Sequence, residues 1–152
     1  MGLRTSEVIS VVLLAIVGGL YWDPWLALTR SMATFEPEVF LPILKRMNRN
    51  MAPIMTALLP LSLVSTVPVL VLSFNGHVVT FYLTLAALIL FAVTLVVTMV
   101  IEVPIVTALD VETVSALPDD WRQRRDRWMA FHLLRVVPAV AGLVLLTIGV
   151  TS

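Results

Sequence analysis

The chain has 152 residues with 10 basic and 10 acidic side chains, so its formal net charge is zero. Hydrophobic residues make up 59% of it and charged residues 13%, a balance too apolar for the surface of a soluble domain. The neutral charge gives no indication of a nucleic-acid partner, and the absence of cysteine excludes disulfides, thiolate nucleophiles and Cys-ligated metals. We therefore expect an integral membrane protein.

Three apolar stretches of the chain are long enough for four bilayer crossings. The central one, residues 50–101, contains no Asp, Glu, Lys or Arg, and Asn75-Gly76 near its middle favours a tight reversal between two crossings. The predicted crossings are about residues 8–28, 51–73, 78–101 and 128–150, with connections at 29–50 and 102–127. The expected fold is therefore all-α, a single transmembrane domain of residues 1–152 built as a four-helix bundle.

The distribution of basic residues predicts the orientation. The connections at 29–50 and 102–127 lie on the same side of the membrane and hold eight basic residues, whereas the opposite side has only Arg4. The positive-inside rule places these connections in the cytoplasm and both termini outside, with the protein in the plasma (inner) membrane. The lipid bilayer is thus its first expected partner.

The first crossing and the connection after it carry interfacial patterns. Tyr21, Trp22 and Trp25 cluster at the predicted cytoplasmic boundary, where amphipathic rings settle, and an aromatic belt suffices to explain them. Glu36-Pro37 then resembles a helix start, and apolar residues recur after it at helical spacing. This pattern predicts a short amphipathic helix on the inner surface between the first and second crossings.

The third crossing contains a stripe of small, hydroxyl and aromatic residues that ends in an acid. Its members recur at intervals of three and four: Thr80, Thr84, Ala87, Phe91, Thr94, Thr98 and Glu102. On the last helix Trp128, His132 and Arg135 share a face in the same way. Since one crossing ends and the next begins at the cytoplasmic side, the acid, imidazole and guanidinium should meet there, with Asn48 and Asn50 nearby at the base of the second crossing.

Two interpretations of this cluster follow from the residue types. In the functional one, Glu102 orients His132 as a general base and Arg135 stabilises a developing oxyanion, while Trp128, Thr98 and Asn50 contact the substrate. In the structural one, Arg135 pairs with Glu102, His132 hydrogen-bonds a neighbouring helix, and Trp128 is a membrane-interface anchor. No metal site is expected, because one imidazole and one carboxylate form a poor ligand set.

Short motifs resemble a known family. Glu102-Val103-Pro104-Ile105, the pattern Trp128-x-x-x-His132-x-x-Arg135, and Arg49-Asn50-Met51-Ala52-Pro53 are similar to small four-helix membrane proteins related to fungal anthrone oxygenases. Many members of that family have no assigned function. The likeness covers essentially the whole chain, although Val106 stands where many relatives have Asn.

The resemblance implies a four-helix bundle and, as in some members of that family, oxygenation of an anthrone to an anthraquinone with no known cofactor. By the same resemblance His132 and Arg135 match a Trp-His-Arg motif, and Glu102 occupies the polar position before the proline. The leading hypothesis is an oxidoreductase for a lipophilic aromatic or quinone-like small molecule at the cytoplasmic side. A non-enzymatic membrane subunit or small-molecule-binding protein is the alternative. A transporter is less favoured because no charge lies at mid-membrane. The sequence does not decide whether the protein forms a homo-oligomer.

Overall fold

Four long helices dominate the computed structural model, which describes residues 2–152 apart from the side chain of residue 29. They are α1 (Leu3–Met32), α2 (Pro37–Ser73), α3 (Val78–Asp110) and α4 (Trp121–Thr151). A 3₁₀ turn, Val114–Ala116, lies between α3 and α4, and no strand occurs within residues 2–152. All four helices are long and apolar enough to cross a membrane. The predicted all-α class is confirmed, whereas the bounds of the crossings within these helices stay predictions.

The turn between α2 and α3 is built around a glycine. Gly76 has φ 121°, a backbone conformation that side-chain-bearing residues rarely adopt. The reversal occupies only the few residues from the end of α2 at Ser73 to the start of α3 at Val78. The two helices therefore run antiparallel as neighbours.

Helix α2 begins earlier than the predicted second crossing. It is continuous for 37 residues from Pro37, although it contains four further prolines. At 1.5 Å per residue it is about 55 Å long, well beyond the roughly 30 Å of a hydrocarbon core. Residues 37–50 are thus helical but form the first turns of α2, and the predicted separate amphipathic helix is not confirmed.

Helix α3 does not end at Glu102. It widens there into a π-helical turn, Thr98–Glu102, in which the N–H of Val103 donates to the carbonyl of Thr98, five residues earlier. Pro104 follows without an N–H to donate, and the helix then continues to Asp110. The wide turn accommodates the proline, so Glu102 lies inside a continuous helix and not at its end.

The stripes of α3 and α4 face each other. A Cβ atom on Gly142 would lie 2.9 Å from a ring carbon of Phe91, so only glycine allows this approach. Nearer the termini, the hydroxyl of Thr80 donates to the carbonyl of Gly149 at 2.7 Å. The stripe of α3 thus packs against small residues of α4, which allow the two backbones to approach closely.

Two apolar clusters form the interior. The first contains the buried residues Leu14, Val17, Tyr21, Leu59, Ala87, Phe91, Val136, Ala139 and Leu146. The second contains Met32, Phe40, Leu44, Leu109, Trp121 and Trp128. On α4 the buried His132 lies between Trp128 of the second cluster and Val136 of the first. The surroundings of this imidazole are therefore bounded by apolar packing on both sides.

Candidate functional site

Glu102, His132 and Arg135 meet in the interior. Arg135 Nη1 lies 2.5 Å from Glu102 Oε2, and Arg135 Nη2 lies 2.7 Å from His132 Nδ1. The second carboxylate oxygen, Glu102 Oε1, is 3.8 Å from His132 Nδ1. The exposed fractions of the side chains are 4% for Glu102, 2% for His132 and 13% for Arg135. The structure thus brings together the three ionisable groups on which the functional hypothesis depends.

The hydrogen bonds of His132 define its tautomer. Its Nε2 is 3.1 Å from the backbone carbonyl oxygen of Tyr21, which can only accept, so Nε2 carries the proton. Nδ1 then accepts from Arg135 Nη2. The sequence predicted that a carboxylate orients the imidazole, but a backbone carbonyl and a guanidinium do so. In this arrangement the basic nitrogen of His132 is already occupied.

Arg135 is held from several sides. Its guanidinium carbon lies 4.5 Å from the centroid of the Tyr21 ring, within cation–π range. Its Nη1 also donates to the hydroxyl of Thr98 at 3.3 Å. That hydroxyl donates its own proton to the carbonyl of Thr94 at 2.7 Å, which leaves a lone pair directed to the arginine. Thr98 therefore helps to fix the position of the cation.

A cavity of about 370 Å³ adjoins the cluster. This volume lies within the range of about 300–1,000 Å³ that small organic ligands occupy in proteins. All four helices line it, mostly with apolar side chains, and its polar end contains Glu102, His132 and Arg135. Trp128 also lines it, with its ring centroid 5.3 Å from that of His132 and an interplanar angle of 32°. A flat molecule could lie against this pair of rings.

The other predicted substrate contacts divide in the structure. Thr98 lines the cavity, whereas Asn50 is exposed and does not line it. Asn48 lies on the cavity wall in its place. A displacement of two residues turns a side chain by about 200° around a helix, so the two asparagines cannot share a face. Val106 also lines the cavity.

Several buried polar atoms at the cavity have no hydrogen-bond partner within residues 2–152. They are Glu102 Oε1, Trp128 Nε1 and Arg135 Nε, and each belongs to a residue that lines the cavity. Buried polar atoms are normally paired, because leaving one without a partner costs about 1–3 kcal/mol. The set includes donors and an acceptor, which suits a ligand with both kinds of group along one edge.

Tyr21 is the site residue that the sequence analysis missed. We interpreted it as part of an aromatic belt, but its exposed fraction is 2%, against 44% for the neighbouring Trp22. Its ring and its backbone carbonyl both belong to the site. Its spacing of four and seven residues from Val17 and Leu14, both fully buried, is the signal that could have identified it.

Fold and site together define an all-helical protein that has four helices long and apolar enough to cross a membrane, with a buried polar cluster beside a ligand-sized cavity. The model of a family described as anthrone oxygenase matches residues 43–145, well over half of the chain. The chain therefore belongs to the anthrone oxygenase family, which confirms the resemblance seen in the sequence. No match was found among curated proteins or among solved structures. The matched range includes Glu102, His132 and Arg135, whereas Tyr21 precedes it.

Proposed function

We propose that the chain is a four-helix bundle of the plasma (inner) membrane that oxygenates a lipophilic aromatic or quinone-like molecule. The site lies near the cytoplasmic ends of the helices, with connections 29–50 and 102–127 in the cytoplasm and both termini outside. The observation that carries the proposal is an unpartnered carboxylate oxygen, Glu102 Oε1, beside a buried guanidinium in an apolar cavity of about 370 Å³. Membership of the anthrone oxygenase family supports the reaction class.

The proposed reaction converts a CH₂ group, activated by a conjugated carbonyl, into a second carbonyl. Loss of a proton from the CH₂ leaves an electron pair that is delocalised onto the carbonyl oxygen as an oxyanion. The carbanion and O₂ form a carbon–oxygen bond, and return of the proton gives a hydroperoxide. Breakage of its O–O bond with loss of the remaining C–H proton releases water, so CH₂ and O₂ become C=O and H₂O. Carbon supplies the four electrons that oxygen receives.

The geometry favours Glu102 over His132 as the proton acceptor. Both Glu102 Oε2 and His132 Nδ1 already accept from Arg135, whereas Glu102 Oε1 is free of hydrogen-bond partners in the described chain. Arg135 Nε is also unpartnered and can donate to the oxyanion without breaking an existing contact. His132 then acts as a positioning residue for the guanidinium. This assignment revises the base predicted from the sequence.

Turnover by reconstituted protein tests the proposal. We would supply anthrone to the chain in lipid nanodiscs and follow O₂ consumption together with quinone absorbance. Glu102→Gln should lower turnover by about 10²–10⁴-fold, the usual contribution of a general base. The exposed Glu38 provides a matched control, since Glu38→Gln should leave turnover unchanged. Wild-type protein without turnover would remove the oxygenase proposal, and an active Glu102→Gln variant would remove Glu102 as the base.

The hydrogen bonds that Arg135 already makes favour a second function. Both of its terminal nitrogens are already bonded, at 2.5 Å and 2.7 Å, as expected for a structural cluster beside a binding cavity. In that case the protein binds a hydrophobic small molecule without transforming it. Equilibrium binding of anthrone with no O₂ consumption would support this function over the first.

A further inference from the structure

The residues that line the cavity differ in solvent exposure from one helix to another. The lining residues that α1 and α4 contribute, among them Tyr21 and Arg135, are buried or half-buried. The exposed lining residues all belong to α2 and α3. They are Ala52, Thr56 and Pro60 on α2, and Met99, Val103 and Thr107 on α3. The cavity therefore opens sideways, through a gap between these two helices.

The rim of this gap, formed by those six residues, has the chemistry of a surface that faces lipid. None of the six is charged, and only two carry a hydroxyl. The Thr56 hydroxyl donates to the carbonyl of Ala52 at 2.7 Å, so it presents no free donor to a solvent. Four of the six, Ala52, Thr56, Pro60 and Met99, fall within the predicted crossings 51–73 and 78–101. Val103 and Thr107 follow the second of these crossings on the same apolar helix, which continues to Asp110. An entrance for a solute from water would be expected to carry polar or charged groups.

The cavity combines an adaptable apolar lining with a few buried polar atoms. Met51, Met55 and Met99 line the cavity from the two helices of the rim, and methionine side chains adapt readily to ligands of different shape. Of the unpartnered buried atoms, Trp128 Nε1 and Arg135 Nε belong to α4, whereas Glu102 Oε1 belongs to α3, between the rim residues Met99 and Val103. A molecule that enters through the gap would therefore meet both apolar contacts and hydrogen-bonding groups.

We infer that the cavity is loaded laterally from the bilayer through the gap between α2 and α3. Its ligand is a hydrophobic molecule dissolved among the acyl chains, with one edge that carries both a hydrogen-bond donor and an acceptor. The inference rests on the membrane setting of the proposed function, but not on the oxygenation step. The rim residues are then determinants of substrate access, distinct from the groups that contact reacting atoms.

Fluorescence quenching tests the lateral gap without requiring turnover. With Trp22, Trp25 and Trp121 replaced by Phe, Trp128 becomes the single reporter of the cavity. In vesicles of phosphatidylcholine brominated on its acyl chains, Trp128 should be quenched, because acyl chains can enter the gap. Water-soluble iodide should quench it far less.

Blocking the rim should remove this quenching. Ala52→Phe narrows the gap from α2 and should abolish most of the bromine quenching. Ile54→Phe, at an exposed position of the same helix outside the cavity lining, should retain it. Met99→Phe repeats the test from α3. Its control is Val100→Phe, at an exposed position outside the cavity lining. Circular dichroism reports the folding of each variant.

The outcomes separate the entrance from the chemistry. Bromine quenching that is equal in the rim variants and their controls would overturn the lateral route, as would quenching by iodide alone. Quenching that follows the rim substitutions supports the route even if anthrone is never converted. If anthrone is converted, Ala52→Phe should raise KM relative to its control Ile54→Phe.

Discussion

Replacing Arg135 by methionine removes the hydrogen-bond partner of a buried carboxylate oxygen. The side chain of Glu102 is 4% exposed and its Oε2 lies 2.5 Å from Arg135 Nη1. Its other oxygen has no hydrogen-bond partner within residues 2–152, so the variant leaves the carboxylate without compensation. Breaking a buried ion pair from one side typically costs about 3–5 kcal/mol, and we expect Arg135→Met to lower the free energy of unfolding by that amount.

The double variant Glu102→Gln/Arg135→Met separates the pair from general loss of packing. Because the amide carries no charge to leave unpaired, the double variant should be more stable than Arg135→Met alone, with a coupling of about 0.5–3 kcal/mol. The pair Arg124–Asp120 near the start of the same helix is the matched control, since its side chains are 38% and 48% exposed. Arg124→Met should cost only about 0.2–1 kcal/mol.

Equilibrium unfolding in mixed detergent micelles, followed by circular dichroism, measures all of these variants on one scale. If Arg135→Met lowered the free energy of unfolding no more than Arg124→Met does, the buried ion pair would not stabilise the fold more than an exposed one. A double variant that is less stable than Arg135→Met would also contradict this reasoning. In either case the pairing of the guanidinium with the carboxylate could not explain the stability of the site.

Other substitutions test packing, the cavity wall and orientation. Gly142→Ala should lower the free energy of unfolding by about 1–3 kcal/mol through overpacking against the adjacent phenylalanine ring, and unchanged thermal unfolding would contradict that contact. Asn48→Ala should weaken anthrone binding whereas Asn50→Ala should not, which a fluorescence titration decides. Because the chain lacks cysteine, single Ser115→Cys and Ser152→Cys variants report topology: an impermeant maleimide should label only Ser152→Cys from outside the cell.

Helical periodicity was sufficient to predict the meeting of Glu102, His132 and Arg135. Residues spaced by three and four share a face whatever the neighbouring helix is, and a charged group in an apolar helix must face a partner. Hydropathy likewise predicted an all-α chain with four long apolar helices, because it depends on composition over about 20 residues and not on detail. These parts of the structure follow from local rules.

The parts that could not be predicted depend on contacts between distant segments. The bond from His132 to the backbone carbonyl of Tyr21 has no signature in side-chain identity, since every residue has a carbonyl. The choice between Asn48 and Asn50 requires the rotation of α2 about its axis, which neighbouring helices determine. The continuity of α3 past Pro104 depends on one wide turn, which its sequence does not indicate.

That wide turn joins the entrance of the cavity to its acid. Met99 lies within it and Val103 directly follows it, and both form the α3 side of the lateral gap, while Glu102 is its last residue. A change between π and α geometry shifts the following residues around the helix axis, so it cannot move the gap without moving the carboxylate. If a ligand enters by the lateral route inferred above, its admission and the placement of the acid are coupled through a single turn of backbone.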